Sequence, residues 1–135
     1  MVVHVEAQIG DRDGLPDGTP EPVPFAPSTS QRSLFPPIAD YAFLSDCENT
    51  CLISAAGAVE WMCVPRPDSP SVFGAILDRG AGHFRLGPYG VTVPAARRYL
   101  PGSLIMETTW QTPTGWVIVR DALVMGPWHD LEARS

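Results

Sequence analysis

Proline and glycine are what most restrict the folds open to this chain: 15 prolines and 12 glycines are spread through 135 residues. Proline cannot donate a hydrogen bond inside a helix, and its ring clashes with the preceding turn. Glycine raises the entropy lost on ordering a helix or a strand. Long helices are therefore excluded, and a chain with 44% hydrophobic residues must fill its core with short strands and tight turns. The fold class expected is mainly β: an incomplete antiparallel β-sandwich with one short helix and a disordered N-terminal tail.

Charge and hydropathy narrow the function classes. A formal charge of -6 argues against tracking a phosphate backbone, which needs a basic stripe to release counterions, so nucleic acid is not an expected partner. No stretch reaches the roughly 18 to 20 apolar residues of a membrane helix. The start "MVVHVEAQIGDRDG" lacks the basic and apolar regions of a secretion signal. No membrane partner is expected, and the cytoplasm is the expected location. Cys47, Cys51 and Cys63 cannot all pair with one another, and they read as thiols serving as small buried hydrophobes. Cys47 and Cys51 supply two zinc ligands at most. His4, His83 and His129 do not complete a familiar set, so no metal or other cofactor is expected.

Residues 1–33, with scattered acids and prolines and no apolar period, read as a tail unable to bury enough surface to offset its ordering entropy. The domain is expected over residues 34–135. In "FPPIADYAFLSD", a loop with a short helical turn, Ile38, Tyr41, Phe43 and Leu44 are the first core anchors. "TCLISAAGAVEWMCV" reads as a hairpin around Ala55-Ala56-Gly57, with Cys51, Ile53, Val59, Trp61 and Cys63 on one buried face. "DSPSVFGAILDRGAG" carries the helix signal: Ser69 as N-cap, Pro70 in the first turn, Val72, Phe73, Ile76 and Leu77 at helical spacing, and Gly80 as the stop.

Strands account for the remainder. "HFRLGP" alternates, and "VTVPAARRYLPG", broken by Pro94, suits a sheet edge. "SLIMETTWQT" and "WVIVRDALVM" flank the turn "TPTG". Pairing Thr112 with Gly115 sets Glu107 opposite Arg120, an ion pair supporting that register. Leu104, Met106, Trp110, Val117, Val119 and Leu123 then form the other face.

Signals for chemistry are sparse. There is no G-x-S-x-G, phosphate loop, H-E-x-x-H, or cysteine with a convincing histidine partner. Asp46 with Glu48, Glu60, and Asp68 with Asp78 are the available carboxylates for paired acid and base work. Surface solvation or capping is the role expected of each. Trp61 and Trp110 fall on apolar strand faces, where packing rather than sugar stacking is expected. In "PRPDSPS", Pro65 and Pro67 stiffen the chain around Arg66 and hold it near Asp68. Such a loop either caps the sheet or reaches into a ligand site.

The run from "PPIADYAFLSD" through "GAVEWMCVPRPDSPSVFGAILD" resembles the N-terminal domain of bacterial glycoside hydrolase family 15 enzymes, the glucoamylase-like and trehalase proteins. "WMCVPRPDSPSVF", residues 61–73, is its most specific part. The likeness covers about Phe35 to Asp130 and is nearest to the actinobacterial trehalase branch. Ala56, Glu60 and Pro67 depart from the usual Asp, Asp and Phe of the pattern.

The resemblance implies a two-part enzyme: a β-sandwich followed by a barrel of paired helices that hydrolyses α-glucosidic bonds with inversion. One glutamate of that barrel serves as acid and another as base. It implies no catalytic residue in this chain, whose partners would be its own C-terminal barrel and the sugar bound there. Arg66, Asp68 and Ser69 would form a substrate-binding loop facing that sugar site. A free-standing carbohydrate-binding or interaction module, and a parent acting on α-glucosides other than α,α-trehalose, are the alternative expectations.

Overall fold

The computed structural model describes residues 3–11 and 35–124. Nine strands form two antiparallel sheets: β1 (Val3–Asp11), β2 (Ala42–Ser45), β3 (Thr50–Ile53), β4 (Ala58–Cys63), β5 (Ser71–Phe73), β6 (Phe84–Arg85), β7 (Ala96–Tyr99), β8 (Met106–Thr112) and β9 (Gly115–Leu123). One sheet runs β1-β9-β8-β7. The other runs β2-β3-β4-β5, with β6 sharing the β4 edge beside β5. The core lies between them, where Ala42, Leu44, Cys51, Ile53, Val59 and Met62 of the second sheet meet Met106 and Leu123 of the first. A 3-10 turn at Ile38–Asp40 is the only helical element among the described residues.

The β8–β9 hairpin has the register expected from its turn: Thr112 faces Gly115 and Glu107 faces Arg120. Trp110 is fully buried and Val119 nearly so. Leu104, assigned to that face, precedes β8 and is exposed. β7 takes the expected edge. In the β3–β4 turn, Gly57 has φ +75°, and a Cβ there would lie 2.6 Å from the Trp110 ring. Only glycine combines that backbone angle with such close approach.

Further expectations are corrected, among them Cys47, read as a buried hydrophobe and in fact exposed. The helix at residues 69–80 does not form. Ser71–Phe73 is instead a strand, with Phe73 opposite Met62, and Gly74 begins a turn closed by Leu77 N–H on the Gly74 carbonyl at 2.9 Å. Four apolar residues within six positions offer too few turns to repay helix nucleation, whereas β4 offers an edge to pair with. Val3–Asp11, assigned to the disordered tail, is the strand β1, paired along its length with β9. The rest of the proposed tail lies outside the described residues.

Trp61 leaves the core face. The β3–β4 register shifts between Leu52 and Ile53, so that Ile53 opposes Val59 while Leu52 opposes Trp61. The extra residue, Glu60, reverses the alternation and hands the core position to Met62. Ile38 and Phe43, read as core anchors, are exposed, while Leu44 is buried.

The sheets also meet at one margin. The Phe43 N–H donates to the Tyr99 hydroxyl at 2.8 Å, and that hydroxyl donates back to the Phe43 carbonyl at 3.0 Å. Arg97 donates to the carbonyls of Asp40 and Ile53. A tyrosine on β7 thus occupies the free edge of β2. We expect Tyr99→Phe to cost about 1 kcal/mol, the usual net value of such bonds at a partly wet site. Urea unfolding of the two proteins would show this, and coincident curves would count against the bridge.

Candidate functional site

Arg66, Asp68 and Ser69 come together in the connection from β4 to β5. Beyond Cys63, which pairs with Ser71, the chain passes a cis Val64–Pro65 bond and closes on itself. The Ser69 N–H donates to the Arg66 carbonyl at 3.0 Å, and the Arg66 N–H donates to the Ser69 hydroxyl at 3.2 Å. Ser69 therefore folds the loop and caps no helix. The Arg66 guanidinium sits 2.9 Å from the Asp68 carboxylate, with 73% and 69% of the two side chains exposed. An ion pair this wet contributes little stability. What the loop offers is a fixed donor fork beside a carboxylate, both presented to solvent and able to bind hydroxyl groups.

The other acids are engaged elsewhere. Asp46 Oδ1 accepts the N–H groups of Glu48 and Asn49, and Asp78 Oδ1 accepts that of Gly80 at 2.9 Å. Both organise turns. Glu60 is buried, and its Oε2 accepts from the Tyr41 hydroxyl and from Arg79 Nη1, each at 2.6 Å. Arg79 also lies over the Phe35 ring, 4.7 Å from its centroid. Burial raises the Tyr41 pKa, and the bond to Glu60 adds to the rise. Tyr41, Glu60 and Arg79 lock the entry segment and the stretch after β5 onto β4.

Asp121 is the titratable group that inspection of sequence motifs passed over. It lies on β9 opposite Met106 and is buried, and burial pushes its pKa up to about 6, against the lowering influence of Arg97. Its signal was present: the register that sets Glu107 opposite Arg120 also sets Asp121 on the apolar face. Nearby, burial first, and the charges of Asp121 and Asp46 second, push the Cys51 thiol up to about 12, so Cys51 behaves as a small hydrophobe. A buried carboxyl with a raised pKa can mark an active site. Asp121 instead lies on the core face of β9, opposite the buried Met106.

Neither described tryptophan of the first sheet offers a stacking platform to solvent. Trp110 is enclosed and Trp116 is buried beside Gly10, its partner across β1 and β9. Trp128 lies outside the described residues. Among the described residues no three histidine, cysteine or acidic side chains gather as metal ligands, and no helix is long and apolar enough to cross a membrane.

A family model described as trehalase-like, N-terminal, matches residues 32–121. The chain is 82% identical over 114 residues to a trehalase of Mycolicibacterium smegmatis and 80% identical over the same length to one of Mycobacterium tuberculosis, covering 84% of this chain in each case. A trehalase of Sulfolobus acidocaldarius is 34% identical over 70 residues, 52% of the chain. The chain spans 17% of the length of each mycobacterial relative and 12% of the archaeal one. No solved structure matches it. From residue 32 to residue 121, covering β2 to β8 and most of β9, this chain belongs to the trehalase-like N-terminal family.

Proposed function

We propose that this chain is the β-sandwich part of a glycoside hydrolase family 15 trehalase, and that its parent cleaves α,α-trehalose to glucose through a catalytic helical barrel carried elsewhere in the polypeptide. The observation carrying this reading is the identity of 82% and 80% to two proteins named trehalases, over a small part of their length. Inverting hydrolysis needs an acid and a base held roughly 6.5 to 9.5 Å apart across a water-filled gap. Here the buried carboxylates of Glu60 and Glu107 are each committed to arginine, so the sandwich has the character of a scaffold. The cytoplasm is the compartment we propose for it, since Cys51 and Cys63 serve as buried thiols.

Glucose release from α,α-trehalose by this chain and by its full-length parent tests the reading. Activity is expected only in the parent. Activity in the short chain would overturn it, as would a parent that ignores trehalose.

Within the parent, Arg66, Asp68 and Ser69 are proposed to face the sugar site. The loop is braced by its own backbone and keeps both charges exposed, which suits a contact made with another body. Arg66→Ala in the full-length enzyme is expected to lower kcat/KM about tenfold, the loss of one charged hydrogen bond. Its melting temperature should move by no more than about 2 °C, because exposed substitutions rarely disturb folding. Unchanged kinetics would sink the assignment.

A further inference from the structure

The two outer faces of this sandwich differ in kind. On the four-stranded sheet, Glu6, Arg120, Glu107 and Arg98 lie side by side across β1, β9, β8 and β7. They alternate in sign and pair in sequence at 3.6, 2.9 and 2.6 Å. That row is an ion ladder. On the five-stranded sheet, the row opposite the core runs Phe43, Leu52, Trp61 across β2, β3 and β4. Phe43 is 45% exposed, Leu52 and Trp61 are half-buried, and Val72 on neighbouring β5 is 54% exposed. Contiguous apolar surface of this kind marks a contact site.

We propose that this Phe43–Leu52–Trp61 face is where the remainder of the trehalase polypeptide packs on the sandwich. The inference rests on the trehalase reading above and adds the surface used. Relatives nearly six times as long as the matched segment supply the occupant, since the chain covers only 17% of their length. Position supports the same occupant. Trp61 lies two residues before the end of β4, so at roughly 3.3 Å per residue the Arg66 loop begins within about 10 Å of it along the strand. One body covering the row would also meet that loop. The free edge of β2 is occupied by the Tyr99 hydroxyl, so the partner arrives against the face and not as an added strand. The β4 bulge creates the surface by turning Trp61 outward.

The test uses Phe43→Glu and, separately, Val72→Glu, each placed in this chain and in the full-length parent. In the short chain, both variants should melt within about 2 °C of the original, as expected for exposed positions. In the parent, limited proteolysis should release the N-terminal part about tenfold faster, because cleavage follows the population of the undocked form. Unaltered cleavage of both parent variants would overturn the proposal. So would a short chain that sediments as a dimer and becomes monomeric on substitution while parent cleavage stays unchanged, since the face would then serve a second copy. Accelerated cleavage in a parent that does not hydrolyse trehalose would leave the docking surface standing and remove the activity assigned above.

Discussion

Glu107→Ala is expected to lower the unfolding free energy by about 3 kcal/mol, toward the lower end for removing one partner of a buried ion pair. Glu107 is 2% exposed and receives Arg98 Nε at 2.7 Å on one oxygen and Arg120 Nε at 2.9 Å on the other. Without the carboxylate, two guanidiniums face each other across β7 and β9 with nothing between them. Both keep partial access to water, at 35% and 27% exposure, which holds the loss below the largest values known for buried pairs. The same substitution at Glu6, half-exposed and 3.6 Å from Arg120, should cost less than about 1 kcal/mol. Urea unfolding of the variants gives both numbers. Equal losses at Glu107 and Glu6 would show that the ladder is a surface feature without a buried centre.

Asp121→Asn should act in the opposite direction and only at neutral to alkaline pH. The folded pKa of Asp121 is raised to about 6, from an ordinary 3.8, first by burial. A raised folded pKa means that the folded state binds the proton more tightly than the unfolded one. Asp121 therefore contributes stability that is fully present below about pH 4 and lost as pH rises through about 6. Above that, the sandwich contains a buried charge whose Oδ2 has no hydrogen-bond partner among the described residues.

A change of about two pKa units corresponds to about 3 kcal/mol, with the attraction to Arg97 already included in that shift, so a gain of up to about 3 kcal/mol at pH 8 is expected. At pH 4 the variant and the original should agree closely. Unfolding curves at the two pH values would decide the matter, and parallel stability profiles would rule out Asp121 as the source of the pH dependence.

Much of this was legible in the residues because hairpins encode themselves locally. The turn "TPTG" with flanking alternation set the β8–β9 pairing, and with it the Glu107–Arg120 contact and the burial of Trp110. Pro94 kept β7 at an edge, and Gly57 marked the β3–β4 turn. Prolines and short spacing also placed Arg66 and Asp68 in one loop, whereas Ser69, whose spacing reads as a helix cap, closes that loop instead.

Elements whose state depends on a distant partner were not legible. Ser71–Phe73 has helical spacing, yet it became a strand because β4 had an edge to pair with. Val3–Asp11 looks too polar to order itself and is ordered by β9. Trp61 lost the core to Met62 because one extra residue in β4 reversed the alternation, and a period of two contains no sign of where it slips. The sequence by itself determined the strand class, the local hairpins and the family likeness, since each is written within a few neighbouring residues. Only the tertiary structure decided which face of each strand is buried, which segments pair, and that Asp121 stands inside the core, because those depend on free energies shared between residues far apart in the chain.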